Sequence, residues 1–186
     1  MLKVNNDFNA LFEKWFNMLM ENENFNIRLD EEFSPLIQQN GHDIDYLYWF
    51  LGYPKKIVAL GGKRTPLEGD AEDLIKGVLE FAGGVTASLH LDYWQRPPRR
   101  VFELVGSEGN LIWDYYAKTL TLLFQDPKKQ TKTIDLPIDF DRNNMFIDEM
   151  KDFIDSIKNG SNPAVTLQDG INVLQIALEL KREINF

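Results

Sequence analysis

The chain has 186 residues, a formal net charge of −9 at pH 7, two histidines and no cysteine. This length suits one domain of ordinary size, and a hydrophobic fraction of 44% predicts a packed interior rather than disorder. The acidic balance argues against nucleic-acid and anionic-membrane partners, while the cysteine and histidine counts exclude disulfides and a histidine-rich metal site. No apolar run approaches the roughly 20 residues that span a bilayer, so we expect a cytoplasmic protein.

An amphipathic pattern opens the chain. Large apolar residues recur every three or four positions between residues 8 and 20 and predict a helix: Phe8, Leu11, Phe12, Trp15, Phe16 and Leu19. Pro35 is expected to break any helix in the irregular stretch that follows. We therefore assign residues 1–34 to an N-terminal helix with a connecting segment, and residues 35–186 to the main domain.

The next predicted element is a short helix with both ends marked. Asn40 is expected to cap its amino end, and Gly52 is expected to end it. Four apolar residues at helical spacing would face a core: Ile44, Leu47, Tyr48 and Leu51. His42, Asp45 and Trp49 share the adjoining face at i, i+3 and i+7.

The middle of the chain has the pattern of strands joined by tight turns. Strand patterns cover residues 56–60, 74–81, 85–93, 100–105, 111–115 and 118–125, with a further candidate at 131–136. Gly83-Gly84 is a predicted hairpin turn, and His90 and Asp92 alternate onto the polar face of their strand. These segments predict a largely antiparallel, open-faced sheet of about six strands.

Two helices are predicted at the end of the chain. Residues 145–158 carry an apolar stripe that stops at Asn159-Gly160, and Thr166 can cap the final helix with Asp169 near its positive end. Helices, a largely antiparallel sheet and two more helices together indicate the α+β class.

Three groups of residues are candidates for chemistry. His42 is either a structural histidine or a general acid/base oriented by Asp45. His90 and Asp92 either cover a solvated or interface face of the sheet or line a sugar or cofactor pocket. The third group is the basic corner at residues 95–100.

In this corner two prolines fix the backbone around Arg96, Arg99 and Arg100. Such arginines bind a phosphate or carboxylate through bidentate contacts, or they pair with the surplus acids of the protein. Tyr93 and Trp94, just before the corner, either stack on a sugar or nucleobase or fill the core. The sequence contains no Gly-x-Gly-x-x-Gly opening a helix, no P-loop and no metal-spaced ligands, so it shows no complete catalytic apparatus.

Several segments resemble one family. Residues 42–52 (HDIDYLYWFLG) resemble the H-[DE]-[IL]-D-x-L-x-[WY]-[FL]-[FL]-G segment of the Gfo/Idh/MocA oxidoreductases. Residues 87–100 (ASLHLDYWQRPPRR), running into residues 103–115 (ELVGSEGNLIWDY), resemble the branch that acts on nucleotide sugars and sialic-acid-type sugars. Residues 146–153 and 164–180 are similar to the closing helices of the family.

The resemblance implies a two-domain dehydrogenase with an amino-terminal Rossmann domain that binds NAD(P). Its carboxy-terminal α+β domain, which is dihydrodipicolinate-reductase-like, supplies an open sheet, part of the sugar site and commonly the oligomer interface. This chain resembles only the second domain, so we expect it to bind no cofactor and no metal by itself. The catalytic lysine of the family belongs to the first domain, and His42 alone matches a catalytic position. Gln38 and Gln39 stand where the family usually has an acid, and a glutamine cannot take a proton.

These features predict the substrate-binding and oligomerisation domain of an NAD(P)-dependent sugar or nucleotide-sugar oxidoreductase, inactive alone. His42 would assist proton removal from the hydroxyl that is oxidised, and Asp45 would hold the ring. The expected substrate-binding residues are Gln39, Tyr93, Trp94 and Arg96. The alternative is a non-catalytic assembly subunit derived from the same family, which pairs through its open sheet face.

Overall fold

A computed structural model describes residues 35–66, 72–137 and 139–184, which hold three helices and seven strands. The helices are α1 (Pro35–Leu51), α2 (Asn143–Asn159) and α3 (Leu167–Ile184). The strands are β1 (Lys56–Gly62), β2 (Leu74–Glu80), β3 (Thr86–Asp92), β4 (Val101–Gly106), β5 (Gly109–Asp114), β6 (Thr119–Phe124) and β7 (Lys132–Asp135). The helix predicted at residues 8–20 lies outside the described residues.

Helix α1 begins earlier than the sequence predicts. It starts at Pro35, so the expectations that Pro35 breaks a helix and that Asn40 caps one are wrong. Proline is tolerated in the first helical turn, because the backbone N–H that it lacks would have no helical partner there. The predicted end is confirmed: Gly52 has a φ of 77°, and its N–H donates to the Tyr48 carbonyl at 2.8 Å.

The first sheet pairs β1, β2 and β3 in that order, with both pairs antiparallel. Side chains alternate along its strands, and the buried positions form one face that packs against α1 and α3. The largest fully buried apolar side chains at this interface are Ile44, Tyr46, Ile75, Leu79, Phe81, Ile176 and Leu180. Gly77 permits close packing here, because a Cβ at this position would lie 2.9 Å from Cδ2 of Leu180.

The second sheet is an antiparallel meander of β4, β5, β6 and β7. It belongs to a separate compact unit, Trp94–Asp141, whereas the first sheet and the three helices form the other unit. The antiparallel α+β prediction is confirmed, and within the described residues the expected sheet of about six strands is divided into two sheets of three and four strands. The intervening residues 93–100 contain two prolines, which cannot donate to a ladder.

The two carboxy-terminal helices end and begin at the predicted residues. Gly160 follows α2 in the left-handed region at φ 61°, as expected for a glycine just past a helix end. Thr166 precedes α3, and its capping contacts belong to the candidate site below. Across the described ranges, no helix is both long and apolar enough to cross a membrane.

Candidate active site

A polar cluster joins α1 to the first turn of α3. The hydroxyl of Tyr48 donates to Oδ1 of Asp169 at 3.1 Å, and it accepts a hydrogen bond of 2.7 Å from Nδ2 of Asn172. The other carboxylate oxygen of Asp169 accepts from the backbone N–H of Thr166 at 2.8 Å and from its hydroxyl at 2.6 Å. Asp169 therefore caps its own helix while it holds α1.

Asp45 lies one helical turn before Tyr48 and is largely buried. Burial and the negative charge of Asp169 raise the pKa of Asp45 from 3.8 to about 7. A carboxyl group with such a pKa is about half protonated at neutral pH, which is the range in which a side chain can give or take a proton during catalysis. The charge that acts on Asp45 is that of Asp169, and the orientation of His42 by Asp45 stays a prediction.

His42 is half-buried on α1, three residues before Asp45. The earlier start of α1 changes its setting, because the ring now lies in the interior of a helix rather than in a first turn. Gln39 lies one turn further towards the amino end of the same helix. Gln39, His42 and Asp45 thus follow one another along α1 at intervals of three residues.

Tyr93 lies just after β3, at the end of the first sheet. Its backbone N–H donates to the carbonyl of Asp73 at 3.2 Å. Burial and the nearby Glu72 raise the pKa of the Tyr93 phenol. A phenol that is kept neutral donates and accepts hydrogen bonds, which suits contact with a sugar hydroxyl.

Asp73 organises the turn beside Tyr93. Only 2% of its surface is exposed, and its carboxylate accepts from the backbone N–H groups of Arg64 at 2.7 Å and Thr65 at 2.9 Å. Burial acts to raise the pKa of Asp73, but the hydrogen bonds from Thr65 and Arg64 outweigh it and lower the pKa. This carboxylate is committed to the turn and is a structural group.

His90 and Asp92 form a pair on the opposite face of the first sheet from the helices. Nε2 of His90 lies 2.6 Å from Oδ2 of Asp92. Their alternation onto one face is confirmed by the burial pattern of β3. The His90 ring is exposed and the Asp92 side chain is nearly buried, so the pair orients an imidazole toward the open side of the sheet.

The basic corner and Trp94 belong to the second unit. Trp94 is 48% exposed, and Nη1 of Arg96 donates to the carbonyl of Gln95 at 2.9 Å. The guanidinium of Arg100 lies 5.5 Å from the centre of the Tyr115 ring, in a cation–π contact. The structure thus places His42, Asp45 and Tyr93 in one unit, and Trp94 and Arg96 in the other.

Sequence reasoning missed the role of three residues in the polar cluster, namely Tyr48, Asp169 and Asn172. Tyr48 and Asp169 are 121 positions apart, and each had a sufficient local interpretation as a core residue or a helix cap. The available signal was polar residues at i, i+3 spacing on two helices: Asp45 with Tyr48, and Asp169 with Asn172.

Among residues 35–66, 72–137 and 139–184, the amino end of α3 carries the Asp169 carboxylate, which accepts from the backbone N–H of Thr166, the residue before the helix. Within the same ranges, no group of three or more histidine, aspartate or glutamate side chains is placed to hold a metal ion.

Comparison with known proteins assigns the family. Residues 8–112 match the model of the GFO/IDH/MocA C-terminal domain. The chain belongs to the Gfo/Idh/MocA oxidoreductases. Among curated proteins, none matches this family member at a significant level.

Solved structures show the same fold. The UDP-N-acetylglucosamine 3-dehydrogenase GnnA of Acidithiobacillus ferrooxidans aligns with a TM-score of 0.65 and 20% identity, over 82% of this chain and 50% of that one. The aldose-aldose oxidoreductase of Caulobacter crescentus aligns with a TM-score of 0.68 and 18% identity, over 82% and 46%. The biliverdin reductase of Synechocystis sp. PCC 6803, solved with biliverdin and NADP+, aligns with a TM-score of 0.64 and 17% identity, over 81% and 46%.

This Gfo/Idh/MocA chain therefore spans about half the length of the solved structures that it matches. Identities of this size establish the fold. The matched proteins act on substrates as different as a nucleotide sugar and a bile pigment, so the fold does not select the substrate.

Proposed function

We propose that the chain is the substrate-binding and oligomerisation domain of an NAD(P)-dependent oxidoreductase that acts on a sugar or nucleotide sugar. The observation that carries the proposal is the placement of His42 on α1, the helix that Tyr48 and Asp169 tie to α3. A ring on a helix that is anchored to its neighbour keeps a fixed position, as proton transfer requires. Family membership and two sugar-processing structural relatives support the substrate class.

In this proposal each chain residue has a limited task. His42, as a neutral ring, accepts the proton of the substrate hydroxyl, and Gln39 donates a hydrogen bond to a neighbouring hydroxyl. Asp45 exchanges its own proton near neutral pH, and its charge then acts on the His42 ring one turn away. Arg96 binds the phosphate of a nucleotide sugar, and Tyr93 and Trp94 contact the sugar.

The proposal assigns no cofactor site to this chain. The Asp169 carboxylate at the amino end of α3 repels a pyrophosphate. In this proposal, the redox chemistry therefore depends on a separate nucleotide-binding domain. We expect calorimetric titration of the chain with NAD or NADP to show no binding. A dissociation constant below about 100 µM for either nucleotide would contradict the domain assignment.

The substrate part can be tested by titrating the chain with UDP-N-acetylglucosamine and with UDP. We expect Arg96→Ala to weaken UDP binding at least about tenfold, because a hydrogen bond to a charged group contributes about 1.5–3 kcal/mol. Arg99→Ala is the matched control, since it removes the same charge three residues away. Equal losses in both variants would show an effect of overall charge and would count against a phosphate site at Arg96.

The catalytic part needs a complete enzyme. In a preparation that joins this chain to a family nucleotide domain, we expect His42→Ala to lower kcat about 10²-fold or more with little change in KM. An unchanged kcat/KM in His42→Ala would contradict the catalytic role proposed for His42.

The second candidate is a non-catalytic assembly subunit, and one observation favours it. The face of the first sheet that points away from the helices exposes apolar side chains, with Leu60 76% exposed beside Val58 and Val78. Such a patch is typical of an interface between subunits. We expect sedimentation to show a dimer or larger species that Leu60→Glu dissociates, and a monomer at all concentrations would contradict this assembly.

A further inference from the structure

Helix α2 presents a stripe of apolar side chains to solvent. In the described structure each of them is between 40% and 66% exposed, and together they form the α2 stripe: Ile147, Met150, Phe153, Ile154 and Ile157. An apolar stripe on an amphipathic helix normally faces a core. When large apolar side chains are instead grouped on a surface, they mark a site of contact.

The other side of α2 is the one that packs. Met145 and Ser156 are buried, and Oδ2 of Asp152 accepts from the backbone N–H of Ala164 at 2.9 Å, in the segment before α3. These three helix positions lie on one side, and the α2 stripe is centred roughly 140° around the helix axis from them. The stripe therefore points away from the side on which α2 is buried.

The amino-terminal segment has a matching pattern. Residues 8–20 lie outside the described residues, and their sequence predicts a helix with six large apolar residues between Phe8 and Leu19. The family match begins at residue 8, which places this segment inside the matched domain. Isolated helices shorter than about 12–15 residues are marginal in water, so a helix here needs an apolar surface to pack on.

Length and reach both fit the α2 stripe. The apolar residues of the segment span 11 positions and those of the stripe span 10, which is about 15–17 Å along a helix in either case. Residues 21–34 join the segment to Pro35, the first residue of α1. This link extends to about 46 Å, whereas a domain of this size has a radius of gyration of about 14 Å. The segment can therefore reach α2 from the start of α1.

We propose that residues 8–20 form a helix that packs along the α2 stripe and covers it. The competing surface is the open face of the first sheet, which exposes Val58, Leu60 and Val78. That face is mixed, because Lys76 and His90 are paired in register beside these residues, whereas the α2 stripe is a continuous apolar row. The side chains of one helix also fit the grooves of another. This contact concerns the fold and does not rest on the proposed function.

The test is amide hydrogen exchange of the full chain. We expect residues 8–20 to exchange at least about tenfold more slowly than an unstructured peptide, because the helix must leave α2 before it opens. Phe153→Glu places a charge at an exposed position in the middle of the stripe and should remove this protection, while the amides of the first sheet keep theirs. Leu60→Glu is the matched control, since it places the same charge on the open sheet face and should leave residues 8–20 protected.

A contact measurement covers the case in which Phe153→Glu fails to fold. In the wild type, nuclear Overhauser effects should join the methyl groups of Ile154 or Ile157 to aromatic protons of residues 8–20, such as those of Trp15. The proposal is refuted if residues 8–20 exchange like an unstructured peptide, or if Leu60→Glu rather than Phe153→Glu exposes them. Protection that is lost on about tenfold dilution would assign the contact to a second copy of the chain, and would also refute the proposal. A stripe that makes contacts only after a nucleotide domain is joined would refute it in the same way.

Discussion

Tyr48→Phe provides a sharp test of the polar cluster, because it removes one oxygen atom and leaves the ring in place. The lost hydroxyl donates to Asp169 at 3.1 Å and accepts from Asn172 at 2.7 Å. The substitution therefore removes a hydrogen bond from each of two partners, and one of them is the partly buried carboxylate of Asp169. The variant should weaken the attachment of α1 to α3 without creating a cavity larger than an oxygen atom.

The expected loss is about 2 kcal/mol. A hydrogen bond to a charged group contributes about 1.5–3 kcal/mol, and a neutral one about 1 kcal/mol. The sum is reduced because both partners keep other contacts: Asp169 retains the donors of Thr166, and the carbonyl of Asn172 still accepts from Gln168 at 3.0 Å. With a urea m-value of about 2 kcal/mol per molar, the midpoint should fall by about 1 M at unchanged m.

Tyr53→Phe is the matched control. Tyr53 follows α1, and its hydroxyl also bonds to a carboxylate of α3, at 2.8 Å from Oε1 of Glu179, but this pair is exposed. Exposed contacts of this kind change stability by about 0.5 kcal/mol or less. Equal shifts of the urea midpoint in the two variants would show that burial does not strengthen the hydrogen bonds of Tyr48, and would contradict the predicted difference.

Two further predictions concern packing and the turn of Asp73. Gly77→Ala should destabilise by about 1–2 kcal/mol in urea, because the new methyl group would press on buried Leu180. Gly170→Ala, in α3 with open space around it, should instead stabilise by about 0.5–1 kcal/mol, and a similar loss in both would contradict the steric cause. Asp73→Asn should destabilise at pH 7, and its deficit should shrink as the pH falls below about 4. The reason is that the unfolded wild-type carboxyl takes up a proton there, whereas the folded one, whose pKa is lowered, does so only at a lower pH. A deficit that stays constant down to pH 3 would refute that account.

Local signals in the sequence were sufficient for most elements. The alternation of apolar residues located the strands, and Gly52 and Gly160 ended their helices at positive φ as expected. Thr166 with Asp169 three residues later marked the start of α3, since both partners of this cap are close in sequence. Such signals work because the groups that interact are within one turn or one strand of each other.

Pro35 shows where local reasoning was ambiguous. A proline inside a helix breaks it, but a proline in the first turn is favourable, and the two cases differ only in where the helix begins. The residues that follow Pro35 are compatible with a helix, and the packing of Ile44 and Tyr46 against the first sheet fixes α1 in place. The structure thus decides between the two cases by placing the start of the helix at Pro35.

The sequence by itself determined the class of the fold, the order of its elements and the residue types available for chemistry. The tertiary structure alone decided which of these residues meet: it brought Tyr48 to Asp169, and it placed Trp94 and Arg96 in a different unit from His42. The physical reason is that Tyr48 and Asp169 are 121 positions apart along the chain, so the hydrogen bond between them is not encoded in the residues around either one.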